Sequence, residues 1–340
     1  MKHIILTSPP DGELAERWNS FISRERYATH YTSPNYFKDP FIKASRFAVL
    51  AADLDGQIAG VATGVTDQKV ISSGLFSRPQ SIVCSGAGRA AAISALMDGF
   101  EELSGPETEL LELHTWEEEP ALTARGLHVR PSNEQTSVVM LDLSDGANAV
   151  FTGFSQTRRN EIRKAVRQGI IEVKPLETDE ELAQVYRIHC DWNERKGNIS
   201  DTFEQLSTAA GQKENRRIFI AKVGDKVVAA SFYRFCSGGV VEYASNFSIP
   251  EFQRFRPNDL IGWHAIQWAC EEGLKYFSMG GSHLFLRRFG GVVKRTFRYR
   301  KDLTRLRRHQ LSESARDLGV QVFKRLPENV RTGVRKVLTK

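Results

Sequence analysis

Cysteine is scarce in this chain. Its 340 residues hold four, Cys84, Cys190, Cys236 and Cys270, all far apart and with no CxxC pair. That spacing argues against a disulfide framework and a thiolate zinc site, and predicts buried, reduced thiols. Long apolar runs are missing as well: none approaches the roughly 20 residues a membrane span requires. The N-terminal segment MKHIILTSPPDGELAERW has a four-residue apolar patch, too short for a signal-peptide core. A cytoplasmic location is therefore expected. Glycine is absent from Gln253-Arg254-Phe255-Arg256-Pro257-Asn258, the approach to a predicted helix.

What is present suits a soluble globular protein with room for two domains: 41% hydrophobic and 26% charged residues. The net charge is +6, but the segment from Arg298 onward carries thirteen Lys/Arg against four Asp/Glu, a local charge of +9. The rest of the chain is then weakly acidic, and the basicity belongs to the C-terminal tail.

The most patterned stretch runs from Arg217 to Gly281. Ile218 to Val223, Lys226 to Phe235 and Val240 to Phe247 read as three strands, separated by Gly224-Asp225 and Ser237-Gly238-Gly239. A helix is predicted from Pro257, with Asn258 or Asp259 as its cap, until Gly273 stops it. A last strand follows. The same order occurs earlier: Asp55 precedes Asp225 by 170 positions, and a helix near Arg89 precedes the one near Asp259 by 170. Helices opening at Leu14 and Leu182 differ by 168. Common offsets across four elements predict two similar halves. Thr136 to Leu143 is read as the last strand of the first half, and Ile170 to Leu176 as the first strand of the second. Between them, Ile162, Ala165 and Val166 make an apolar helical stripe with Arg158, Arg159, Arg163, Lys164 and Arg167 around it. The tail from Leu303 to Lys340 reads as basic and helical, interrupted at Pro327.

Several motifs then line up. Thr157 to Ala165 (TRRNEIRKA), His189 to Gly197 (HCDWNERKG), Arg256 to Leu260 (RPNDL), Tyr276 to Gly281 (YFSMGG) and Phe289-Gly290-Gly291 resemble, in this order, the Fem-type branch of the GNAT superfamily, which includes the BioF2-like acyltransferases. The resemblance covers roughly Thr7 to Arg300. It implies an α/β (α+β) fold of two tandem GNAT-like domains, residues 1–145 and 146–305. Each is a mixed, largely antiparallel sheet flanked by helices, and a basic helical tail, 306–340, follows. The chain departs from the family at Ser278, where an acidic residue is usual, and at Leu286-Arg287-Arg288, where the lysine preceding F-G-G is replaced by arginine. The clearest glycine-rich turn before a helix is Ser85-Gly86-Ala87-Gly88 in the first half.

The resemblance implies transfer of an acyl or aminoacyl group to an amine of a cell-envelope, peptidoglycan or polysaccharide precursor. No permanently bound cofactor and no metal is expected; acyl-CoA is the expected co-substrate and aminoacyl-tRNA the alternative. Glu242, Tyr243, Asn246 and Arg287 are the catalytic candidates. Strand alternation puts Glu242, Ala244 and Asn246 on one face and Tyr243 on the other. Tyr243 would protonate a leaving group and Glu242 remove a proton through water; the alternative is a core tyrosine and a solvated glutamate. Arg254, Arg256, Asn258 and Asp259 at a helix N-terminus would hold donor phosphates, or form a plain surface cluster. Asp191, Asn193, Arg195, Lys196 and Arg288 would read the acceptor, an amino sugar or peptidoglycan-type amine. Arg287 cannot be a base, because guanidinium does not deprotonate. His264 and His283 are read as packing or surface residues. The tail would rest on an anionic membrane surface at its inner face, touch tRNA, or pack. A second class of function is a non-catalytic, degenerate pair of such domains binding anionic lipid or RNA through that tail.

Overall fold

The computed structural model describes residues 1–74, 78–130 and 137–325. Seven strands come from the first part of the chain: β1 (Lys2–Leu6), β2 (Ser45–Ala52), β3 (Ile58–Thr66), β4 (Val70–Ser73), β5 (Ser81–Val83), β6 (Leu110–Thr115) and β7 (His128–Val129). Helices α1 (Gly12–Arg24), α2 (Arg89–Leu103) and α3 (Pro120–Ala124) accompany them. After β8 (Ser137–Asp142) come α4 (Gly146–Gly153), α5 (Gln156–Gln168), β9 (Glu172–Pro175), α6 (Asp179–Lys196) and α7 (Phe203–Gly211). The meander β10 (Arg216–Val223), β11 (Lys226–Phe235) and β12 (Val240–Ser248) feeds α8 (Pro257–Glu271) and β13 (Tyr276–Ser278). Then follow α9 (Leu284–Arg287), β14 (Val292–Arg295), β15 (Phe297–Asp302) and α10 (Arg308–Arg325).

The duplication is visible in space. Each half runs strand, helix, hairpin, third strand, central helix, parallel strand. The hairpin β10–β11 turns at Gly224 with φ +57°, and α8 ends before Gly273 with φ +68°, both left-handed conformations that glycine adopts without a Cβ penalty. At the start of α6 the hydroxyl of Thr178 accepts from the Glu181 amide (3.1 Å) while Glu181 reaches back, a reciprocal cap. The cap of α8 differs from expectation: Arg256, at φ +61°, occupies it, with Pro257 as the first helical residue. Proline has no N–H to satisfy there and its fixed φ suits the first turn.

Strand membership departs from chain order. One sheet runs β1-β2-β3-β4-β6-β15-β7, with β5 also pairing β3, and the other β14-β8-β13-β12-β11-β10-β9. Strand β8, expected to close the first half, lies inside the second sheet, where Phe277 pairs with Leu141. Strand β15 crosses the other way, its Tyr299 pairing with Leu113 of β6. The reason is burial. Val138, Val139, Met140 and Leu141 are all buried, which an interior strand covered on both faces provides and an edge does not.

The basic stripe of α5 is also corrected at one residue. Arg158 is 1% exposed rather than solvated: its guanidinium pairs with Asp259 and lies 4.5 Å from the Phe285 ring centre and 4.4 Å from that of Phe289. The tail helix α10 docks on the first sheet through Glu313, paired with Arg130 (3.3 Å) and Arg300, and through His309, 3.1 Å from Glu109. The expected break at Pro327 and the remainder of the tail lie outside the described residues.

Candidate active site

Strands β12 and β13 run parallel for three residue pairs, from Val240–Tyr276 to Glu242–Ser278, and then separate. Beyond Ser278 the chain follows β8: the Met279 amide donates to Val139 O (2.9 Å), and the Val139 amide to Gly281 O (2.8 Å). Strand β12 continues alongside β11. Between the Tyr233–Tyr243 and Phe232–Ser245 pairs, Ala244 is left over as a β-bulge. A bulge leaves one residue outside the ladder and re-aims its neighbours. The V between β12 and β13 therefore presents unladdered backbone at Ala244.

Two adjoining chambers open on this V, of about 400 Å³ and about 330 Å³. They share Arg78, His189, Asp201, Ala244, Ser245 and Phe247 as walls. Arg78 comes from the other half. Strands β4 and β5 both pair β3, and together they occupy the place of β12 in the first half. Where β12 has a one-residue bulge, β4 ends at Ser73 and β5 begins at Ser81, and Arg78 reaches across the seam. Its Nη2 donates to Tyr243 O (3.3 Å), and its Nη1 is 3.7 Å from Glu242 Oε1.

Gly280 makes that crossing possible. At φ +77°, an added Cβ would stand 2.7 Å from both Arg78 Nη2 and Tyr243 O. Gly280→Ala is therefore expected to cost about 1–3 kcal/mol from the left-handed backbone alone, measured by urea unfolding. A cost below about 0.5 kcal/mol would show that the chain rearranges around the methyl group.

Beneath the cleft runs a buried polar seam. Asp39 Oδ2 accepts from Arg216 Nη2 (2.7 Å) and lies 2.9 Å from His30 Nε2. Arg234 donates to the Tyr31 hydroxyl, with its guanidinium 4.5 Å from the centre of that ring. Burial pushes His30 down to about 4, so it is neutral at pH 7. Burial likewise pushes the Tyr31 phenol up to about 12. Burial works against ionisation of Asp39 too, but His30 and Arg216 hold its carboxyl below the usual range.

The residues anticipated from sequence separate into three groups. Tyr243, Asn246 and Asn193 line the larger chamber, and burial holds the Tyr243 phenol well above its ordinary range, so it keeps its proton. Glu242 is 0% exposed and faces Arg78, because the Ala244 bulge breaks the alternation that would have put it beside Asn246. Asp259 is consumed by Arg158, Arg256 by Glu161 (2.7 Å), and Asn258 donates to Ser248 Oγ (3.3 Å). Arg254 is exposed, 4.7 Å from the Phe255 ring centre. Asp191, Lys196 and Arg288 are exposed and outside the chamber walls; Arg195 donates to Ser248 O (3.3 Å) and Arg287 to Ser282 O (2.5 Å). Arg78 and Asp201 were not anticipated from sequence, and His189 stood inside the HCDWNERKG motif without a role. His189 Nε2 accepts from the Asp201 amide (3.0 Å) and so pins the loop that carries the Asp201 carboxylate.

The first half has a cavity of its own, about 340 Å³, where β5 parts from β6 at the start of α2. Ser85 and Arg89 line it, but Arg89 is engaged by Glu117 (3.0 Å) and Glu119. Among the described residues no group of His, Cys, Asp or Glu is placed to hold a metal, and no helix is long and apolar enough to cross a membrane.

A parallel strand pair that splays with a central helix behind it, occurring in two copies, is the arrangement of a tandem GNAT-type fold. Residues 153–289 match the family profile described as an acetyltransferase (GNAT) domain. The chain therefore carries a GNAT acetyltransferase domain, within a fold similar to those of FemX and of a tandem GNAT protein. Its fold is similar to a structure titled as FemX (TM-score 0.68, 14% identity, 88% of this chain and 97% of that one). It is also similar to L-PGS from Bacillus licheniformis (0.56, 14%, 90% and 96%). A tandem GNAT protein from the clavulanic acid biosynthesis pathway is a further likeness (0.51, 12%, 88% and 98%). No curated protein matched the chain by sequence.

Proposed function

We propose that the protein is an N-acyltransferase that moves an acyl group from acyl-CoA onto an amine of a cell-envelope or polysaccharide precursor held in the two chambers. The observation that carries this is the opening between β12 and β13 beside the unladdered Ala244. Backbone N–H groups there meet the developing oxyanion without any special side chain. The amine nitrogen attacks the thioester carbonyl carbon, a C–N bond forms, and the C–S bond breaks. The Asp201 carboxylate takes the amine's proton through water, and the Tyr243 hydroxyl supplies a proton to the departing thiolate. Residues 1–145 and 146–305 would serve as the two domains only with β8 and β15 exchanged between their sheets, and with α10 as an appendage.

Aminoacyl-tRNA is a second donor reading, favoured by the Fem-type resemblance of the motifs and by the likeness of fold to FemX and L-PGS. Contact of the tail with an anionic membrane is favoured by Leu311, Leu318 and Val322, exposed at 63%, 63% and 52% on α10.

Incubation with radiolabelled acyl-CoA and an amino-sugar nucleotide, and separately with charged tRNA, tests the reading. Label in the amine product identifies the donor, and label from neither overturns the assignment. Asp201→Asn is expected to lower kcat by about 10²–10⁴-fold with a smaller change in KM.

A further inference from the structure

The smaller chamber is charged in an unusual way. Three guanidiniums, from Arg78, Arg216 and Arg234, line it together with the apolar walls Phe41, Phe232 and Phe247. Their residues are only 9%, 5% and 7% exposed. Two described carboxylates face them. Asp39 is already committed to Arg216 and His30. Glu242 stands 3.7 Å from Arg78, beyond hydrogen-bonding reach. With His30 neutral and Tyr31 protonated, the cluster holds one positive charge in excess. Arg78 Nε and Nη1 and Arg234 Nε are buried with no hydrogen-bond partner, as are both carboxylate oxygens of Glu242.

An uncompensated charge and orphaned donors are costly in a low-dielectric wall, and such a wall concentrates ions of the opposite sign. The same walls hold one other acidic side chain among the described residues, that of Asp201. A chamber whose walls carry both basic and acidic side chains matches a molecule bearing both charges.

We infer that the chamber takes an amine whose own skeleton carries a compact oxyanion, a carboxylate or a phosphate monoester, with the oxyanion on Arg78 and Arg234 and the nitrogen toward Asp201. This rests on the reading of the cleft as the acceptor site and narrows the acceptor to an anionic class. The bound anion neutralises the excess charge, which a neutral amine leaves standing.

Two measurements on the full chain test this. In the first, melting midpoints are recorded in acetate, inorganic phosphate or chloride at equal ionic strength for wild type, Arg78→Gln and Arg78→Lys, each against its own chloride value. Acetate or phosphate is expected to raise the wild-type midpoint, Arg78→Gln to abolish the rise and Arg78→Lys to retain part of it. An equal rise in wild type and Arg78→Gln, or none in wild type, overturns the inference. In the second, acceptors are offered in matched pairs, glycine against glycinamide and O-phosphoethanolamine against ethanolamine. The anionic member is expected to have a kcat/KM at least about tenfold higher in wild type, a preference that collapses in Arg78→Gln. The pair showing it separates carboxylate from phosphate, and equal use of neutral and anionic members overturns the inference. Anion binding that depends on Arg78, without transfer to any amine, sustains this inference and counts against the transferase reading.

Discussion

Arg158→Ala is expected to lower the free energy of unfolding by about 3–5 kcal/mol, the range for removing one partner of a buried ion pair. Two effects add. Asp259, 3% exposed on the first turn of α8, loses its counter-charge. The rings of Phe285 and Phe289 lose the cation between them, and Phe285 O loses a donor at 3.2 Å. Desolvation already depresses the guanidinium to about 10, a sign of how far from water it lies. Urea unfolding of Arg158→Ala, Asp259→Leu and the double variant measures the coupling. The pair Arg158→Met with Asp259→Leu should recover much of the loss, since apolar replacement of both partners removes the stranded charge. A single-variant cost below about 1 kcal/mol would mean that water reaches Asp259 when Arg158 is gone. Because these rings belong to the segment that carries His283 and Leu286 into the larger chamber, turnover should fall along with stability.

Acidification from pH 7 to pH 4.5 should destabilise the fold by several kcal/mol before the ordinary carboxylates titrate. Burial lowers His30 to about 4 and His114 to about 3, against about 6.5 when unfolded. Below pH 6.5 the unfolded chain binds protons that the folded chain refuses. Stability therefore falls with pH through this window, by on the order of 3 kcal/mol for His30 if its whole shift is expressed. Asp39, held below the usual range, adds its own loss only at lower pH. Glu25 and Glu119, whose carboxyls burial raises, act in the opposite sense. The informative quantity is thus the difference between wild type and His30→Gln or His114→Gln in urea midpoints across the window. Glutamine can keep the bond from His114 Nε2 to Thr296 Oγ1 (2.7 Å) without gaining charge. Parallel pH profiles for wild type and both variants would refute the assignment.

The sequence was most informative where local rules suffice. Strand β11 spans Lys226–Phe235 as read, because a turn signal stands at each end. The starts of α2 and α8 and the common offset of the halves were equally legible. What escaped reading is tertiary. Apolar β8 is consistent with either half, and only pairing partners decide. Arg158, Asp259 and Glu242 read as solvated or functional charges because nothing local reveals a counter-ion on another helix or in the other half. Arg78 belongs to no motif; its place depends on contacts with Tyr243 and Glu242 of the other half. The strand alternation expected of Glu242 and Asn246 breaks at Ala244, whose bulge no neighbouring glycine or proline announces.

The reciprocal crossing of β8 and β15 has a consequence for biosynthesis. On the ribosome, β6 emerges with its free side bare and stays so until Phe297–Asp302 has been made, almost two hundred residues later. The amino-terminal portion therefore cannot mature alone, and its open hydrogen-bonding row is a site for pairing with other nascent chains. Splitting the gene after residue 145 would leave β8 with the wrong fragment and β15 with the other. Such fragments should regain a native assembly only when produced together.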